Sequence, residues 1–203
     1  VTDVDGNLAT SQISVGDGTL TVSLAGGATI TAGANGSGTM TLSGTETQIN
    51  AALATISYQG DSNFNGSDTF TILSTDNDGV PLSDTDTVAI TVSPVNDAPV
   101  NTVPGAQTVN EDTALNITGV SVTDVDGNLA TSQISVGDGT LTVSLTGGAT
   151  ISAGANGSST LTLSGTETQI NAALATISYQ GDLNFNGSDT FTILSTDSDG
   201  VPL

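Results

Sequence analysis

The sequence predicts an all-β protein of tandem β-sandwiches with one short helix per domain. Three observations carry this. Apolar residues alternate with Thr and Ser at period two, as in Leu20-Thr21-Val22-Ser23-Leu24 and Val88-Ala89-Ile90-Thr91-Val92, the signature of half-buried strands. Turn signals separate these runs: Gly16-Asp17-Gly18, Gly26-Gly27, Gly33-Ala34-Asn35-Gly36 and Asn65-Gly66. A long unit also recurs. Val1 to Leu82 returns as Val122 to Leu203, an offset of 121 residues with six differences. That period is too long for a solenoid and typical of a whole domain.

Met40-Thr41-Leu42 and Phe70-Thr71-Ile72 read as further strands. Thr45 to Leu53 breaks the alternation. Thr45 and Gln48 fit a capping box. Ile49, Ala52, Leu53 and Ile56 recur at helical spacing, so a crossover helix is expected there and again from Thr166 to Leu174. A full unit then has strand A at Val103 to Val109, a turn at Asn110-Glu111-Asp112, and strand B at Ala114 to Val122. Later come a strand at Ile177 to Tyr179, the loop Gly181 to Ser188 and a strand at Thr190 to Leu194. The closing strand is represented by Thr85 to Val92. Pro94 and Pro99 bracket Asn96-Asp97 in a stretch that cannot continue a ladder on either side. The expected domains are therefore residues 1–95, lacking the first strands, and residues 96–203, lacking the last. Such ends fit either a window cut from a longer array or a unit whose strands are shared between molecules.

Composition excludes several partners. The 203 residues include 21 Asp and Glu and no Lys, Arg, His, Cys or Trp, for a formal charge of −21. Nothing neutralises phosphates, so nucleic acid and anionic membrane surfaces are excluded. Without Cys there are no disulfides or thiolate metal sites. Aromatics are only 3% of residues, so the core must be Val, Ile, Leu and Ala. No apolar run is long enough to span a membrane, and no signal peptide is visible. The absence of Lys and Arg leaves no trypsin site, which suits life outside a cell. Self-repulsion among the carboxylates opposes compaction unless cations bind or salt screens it.

Strand counting places the acidic turns. Successive loops of a sandwich alternate between its two ends. Asp124, Asp126, Asp197 and Asp199 are expected at the end where Asn96 and Asp97 enter, with Asp61 offered by the upstream domain. Oxygen donors without nitrogen or sulfur match Ca²⁺. A plainer reading stands beside this one: Asp-x-Asp-Gly is also an ordinary turn. Asp61-Ser62-Asn63-Phe64-Asn65-Gly66 imitates the start of a calcium loop, but Ile72 stands where the bidentate Glu belongs. A turn anchored by Phe64 is the better account of it.

Taken together, Val95-Asn96-Asp97-Ala98-Pro99, Asn110-Glu111-Asp112-Thr113, Asp124-Val125-Asp126-Gly127 and Thr196-Asp197-Ser198-Asp199-Gly200 form a recognisable set, with Gln169 to Leu174 and Tyr179 through Phe191. The chain resembles the cadherin-like, immunoglobulin-like tandem repeats of giant bacterial surface proteins, including the extender regions of calcium-dependent, RTX-type adhesins. The resemblance implies Ca²⁺ at the linker, shared by Asn96, Asp97, Asp124, Asp126 and Asp197. Glu111 matches a ligand of that family but by strand counting serves the following junction. Asp3, Asp5, Asp76 and Asp78 face the preceding one.

Two functions follow as expectations. One is a non-catalytic, Ca²⁺-stiffened extender of an extracellular bacterial surface protein. The other is a subunit of a self-assembling extracellular filament or matrix with shared strands. Expected partners are neighbouring repeats or identical chains, besides an unknown adhesive target, with no direct membrane contact. An enzyme is not expected, because no His, Lys, Cys or Arg can activate a nucleophile or stabilise an anion. Near-identical repetition also argues against a specialised adhesive tip. The sequons at Asn35, Asn65, Asn116, Asn156 and Asn186 are frequent by chance in such a composition.

Overall fold

A computed structural model describes residues 1–77 and 80–198. The chain forms two units, Val1–Val95 and Asn96–Leu203. Both are all-β and sandwich-like, with one short helix each.

In the first unit, β1 (Leu8–Ser14), β3 (Thr29–Gly33), β4 (Thr39–Ser43), β6 (Gly66–Asp76) and β7 (Ser83–Val92) form one antiparallel sheet in the order β3-β4-β1-β6-β7. A second, smaller sheet pairs β2 (Gly18–Thr21) with β5 (Ser57–Gly60). The core is aliphatic, as the low aromatic content requires: Ile13, Leu20, Met40, Leu42, Ile49 and Ala52 are buried. The inward positions of β4 alternate, with Met40 and Leu42 buried between more exposed Thr and Ser, which is the period-two pattern of a half-buried strand.

Helix α1 (Glu46–Leu53) links β4 to β5. Its start is determined locally. The Thr45 side chain accepts from the Gln48 backbone N–H at 3.3 Å, and Gln48 Oε1 accepts from the Thr45 N–H at 2.8 Å. Glu46 adds an acid to the first turn, where the helix dipole favours it. Ile49 and Ala52 face the core.

The second unit repeats this plan. β11 (Leu129–Ser135), β13 (Thr150–Gly154), β14 (Thr160–Ser164) and β16 (Thr192–Asp197) form a sheet in the order β13-β14-β11-β16. Helix α2 (Glu167–Leu174) has the same capping box, built on Thr166 and Gln169. Two features differ from the first unit. An added layer comes from β8 (Val100–Thr102), β9 (Leu115–Asn116) and β10 (Ser121–Thr123). β10 pairs with β8, and β9 extends the small sheet of β12 (Thr140–Thr142) and β15 (Ser178–Gln180). In addition, β16 is shorter than β6. Gly66 to Phe70 are strand because β7 lies beside them, whereas their counterparts Gly187 to Phe191 are not strand.

The expected strands A and B need correction. Residues 103–109 are not strand, and pairing is confined to Val100–Thr102. Strand B is interrupted between β9 and β10, where Gly119 has φ +84, a left-handed conformation that stops a ladder. Asp78 and Asp199 lie outside the described residues.

Two substitutions test this packing. Thr166→Ala should cost about 1 kcal/mol by removing the N-cap acceptor, and Leu163→Ala in the fully buried core about 2–5 kcal/mol. Urea unfolding of each variant provides the comparison.

Candidate functional site

The acidic turns of the second unit gather around Asn96. Asn96 Nδ2 donates to Asp197 Oδ2 at 2.8 Å, and the Asp97 N–H donates to Asp126 Oδ2 at 2.6 Å. The Asn128 carboxamide lies between Asn96 and Asp124. In one orientation it donates to Asn96 Oδ1 at 2.7 Å; in the other it donates to Asp124 Oδ1 and Oδ2 at 3.2 and 3.0 Å. Asn96, Asp97, Asp124, Asp126 and Asp197 are thus neighbours. Asp124 and Asp197 are buried, Asp97 and Asp126 exposed. Asn128 joins the cluster although its own turn position gave no sign of it.

Two of these carboxylates, Asp124 and Asp126, accept backbone N–H groups. Asp124 Oδ1 accepts from the Asp126 N–H at 3.0 Å, and Gly127 closes the turn with φ +68. Asp3 does the same in the first unit, accepting from the N–H groups of Asp5 and Gly6 at 3.0 and 3.1 Å. Asp76 Oδ1 accepts from the Leu82 N–H at 3.0 Å. Among the described residues no three carboxylates converge closely enough to hold a metal ion.

The remaining expected positions are turns. Asp61 belongs to the first unit and caps a turn in which the Phe64 N–H donates to its carbonyl at 3.0 Å, with Asn63 at φ +61. Glu111 is exposed, with its carbonyl accepting from the Thr113 hydroxyl at 3.4 Å. The adjacent Asp112 accepts from the Asn184 N–H at 2.9 Å. The turn at residues 110–112 and the loop at residues 181–188 therefore share one end of the unit, as alternating loops require.

Two further clasps carry no motif. Asp189 binds the turn before β12 to the irregular stretch that leads into β16. It accepts from the N–H groups of Gly137, Asp138 and Thr190 at 2.8, 3.0 and 2.7 Å. Asp68 makes the same bonds to Gly16, Asp17 and Thr69. Burial pushes the Asp189 carboxyl up, but these N–H groups and the Tyr179 hydroxyl outweigh it and hold the group below its ordinary 3.8. Tyr179 donates to the Asp138 carbonyl at 2.7 Å. Burial first, then the hydrogen bond and charge of Asp189 and the charges of Asp138 and Asp182, push its phenol up to about 12. The other clasp is Asn171, which accepts from the Val122 N–H at 2.8 Å and donates to the Val122 carbonyl at 2.7 Å. Both were invisible in the sequence because each depends on a contact about 50 residues away. Their only trace is that both recur in each copy.

The signs of these shifts give a pH profile. The lowered Asp189 contributes stability above the unfolded carboxyl range near 3.9, lost as pH falls through its folded value. The raised Tyr179 contributes below pH 10, and this is lost as pH rises through about 12. Asp189→Ala should flatten the acid limb and lower stability, because it removes three hydrogen bonds to an ionised acceptor. Ultraviolet difference titration should show one phenol ionising near 12 in the parent and lower in the variant.

Comparison with known proteins corrects the lineage. The family model for the Protein GAMETE EXPRESSED 2 domain matches residues 9–85 and again residues 104–202. No curated protein and no solved structure matches the chain. The resemblance to bacterial adhesin repeats is overturned, since the match is to a eukaryotic gamete protein family. The calcium-stiffened bacterial extender and the filament drawn as its alternative fall with it, as does the description as a calcium-binding adhesin. The residues that suggested them are turn and cap residues, which the fold demands whatever the ancestry. Both matched segments lie within the two units, and together they cover most of the sequence: the chain belongs to the Protein GAMETE EXPRESSED 2 domain family.

Proposed function

We propose that the chain is a non-catalytic contact module acting outside the cell or at its surface, with other β-sandwich repeats of its own kind as partners. The observation that carries this is the display of apolar side chains on loops between strands. Val4 is fully exposed at the tip of the Asp3-Val4-Asp5-Gly6 turn, and Val80, Leu82, Val125 and Leu183 are largely exposed as well. Apolar groups displayed on turns are suited to burial against another protein.

Three facts support the reading, and a fourth bears on it. The sequence has no His, Lys, Arg or Cys, so acid–base chemistry would rest on carboxylates alone. Several of those carboxylates already accept backbone N–H groups. A family named for gamete expression is compatible with a cell-surface role. Among the described residues no helix is long and apolar enough to cross a membrane.

The charge fixes how such contacts respond to salt. Copies of a chain carrying −21 repel one another. Contact between them strengthens as the Debye length shrinks from about 10 Å at 0.1 M to about 3 Å at 1 M. Beads coated with the chain should therefore aggregate with each other, more at high salt than at low. Val4→Asp combined with Val125→Asp should reduce aggregation several-fold, a size set by the loss of two exposed apolar contacts. Dispersed beads at every salt concentration would contradict the proposal, as would aggregation that weakens with salt.

A further inference from the structure

Four of the five sequons are the same tripeptide, Asn-Gly-Ser, at residues 35–37, 65–67, 156–158 and 186–188. In an Asn-Gly pair the side-chain amide can meet the next backbone nitrogen, because glycine has no side chain to obstruct the approach. All four asparagines are exposed. With identical sequence and like exposure, local hydrogen bonding is what separates them.

Two are clasped. Asn35 Oδ1 accepts from the Val22 N–H at 2.9 Å, and its Nδ2 donates to the Val22 carbonyl at 2.8 Å. Asn156 makes the same pair of bonds to Val143, both at 2.8 Å. The backbone nitrogens that follow are engaged as well. The Gly36 N–H donates to the Leu20 carbonyl at 2.9 Å, and the Gly157 N–H to the Leu141 carbonyl at 2.8 Å. Each of these carboxamides is committed to a residue 13 positions away. An acid in its place would set an oxygen against a carbonyl oxygen.

The other two are held only within their own turns. Asn65 Nδ2 donates to the Asn63 carbonyl at 3.5 Å, and Asn186 Nδ2 to the Asn184 carbonyl at 3.3 Å. Gly66 stands in the last pair of the β6–β7 ladder, opposite Val92, and Gly187 lies in irregular backbone. Ladder ends and irregular segments open most easily.

We propose that Asn65 and Asn186 are sites of spontaneous succinimide formation, and that the clasps on Asn35 and Asn156 protect those two from it. The backbone nitrogen of Gly66 or Gly187 gives up its proton and bonds to Cγ of the preceding Asn. The Cγ–Nδ2 bond breaks, and the nitrogen leaves with that proton as ammonia. Water then opens the imide at either carbonyl. One opening gives Asp; the other gives isoaspartate, in which the backbone runs through Cγ. Each conversion adds a carboxylate to a chain that has no Lys, Arg or His to pair it. At Asn186 the new charge enters the loop that displays the exposed Leu183. This chemistry is independent of the contact-module reading.

Incubation of the full chain in heavy-oxygen water at mildly alkaline pH, followed by peptic digestion and mass spectrometry, tests this. The four peptides differ in mass, because Gly38/Ser159 separates the clasped pair and Ser62/Leu183 the other. In urea all four should take up label at one rate, since the tripeptide is the same. In the folded chain Asn65 and Asn186 should label about tenfold faster than Asn35 and Asn156, the protection that two net hydrogen bonds supply. Asn65→Gln combined with Asn186→Gln should abolish the early release of ammonia. Isoaspartate, read by enzymatic carboxyl methylation of the same peptides, should appear at both positions, because the imide route produces it and direct hydrolysis of the amide does not. Equal rates at the four sites in the folded chain, faster labelling at Asn35 and Asn156, or label without isoaspartate would each overturn the proposal.

Discussion

Every buried carboxylate in this chain must be satisfied without a cationic side chain, because the sequence contains none. Burying an unpaired charge is prohibitively costly. The structure answers with hydrogen-bond donors. Asp68 takes three backbone N–H groups, as does the half-buried Asp189, Asp124 takes the Asp126 N–H, and Asp197 takes the Asn96 amide. These acids therefore organise the loops. Asp189 ties the irregular stretch before β16 to a turn 51 and 52 residues away. Each bond to an ionised acceptor is stronger than a neutral one, so the turns are fixed by the same groups that make the chain acidic.

The second constraint is strand partnership. Near-identical sequences give the same helix in both units, because the cap, first turn and apolar face are all encoded within nine residues, Thr45–Leu53 and Thr166–Leu174. They do not give the same strands. Gly66 to Phe70 extend β6 where β7 lies alongside, and the same sequence at Gly187 to Phe191 is irregular. Tyr58 and Tyr179 have identical neighbours in sequence, but only Tyr179 has β9 over it and is buried. Local chemistry decides turns and caps; a ladder's length depends on what lies beside it.

That division explains what could be read from the sequence. The capping box at Thr45 and Gln48, the Asp-x-Asp-Gly turns and the period-two core positions are local and legible. The gathering of Asn96, Asp97, Asp124, Asp126 and Asp197 was also legible, because loop alternation follows from counting strands. Strand A was misplaced: the apolar residues Val103 and Val109 suggested a strand, but pairing stops at Thr102. The Asn171 and Asp189 clasps could not be foreseen, since one Asn and one Asp look like many others. Ancestry was misjudged for a related reason. Residues that make good turns recur in unrelated sandwiches, so they report the fold rather than the lineage.

Amide hydrogen exchange on residues 1–203 tests the central claim most directly: within this span, identical sequence acquires different protection where β9 pairs with one copy of it. The account predicts that the Tyr58 amide exchanges much faster than the Tyr179 amide, while Ile49 and Ile170, inside the two equivalent helices, are protected alike. Equal protection at Tyr58 and Tyr179 would contradict it.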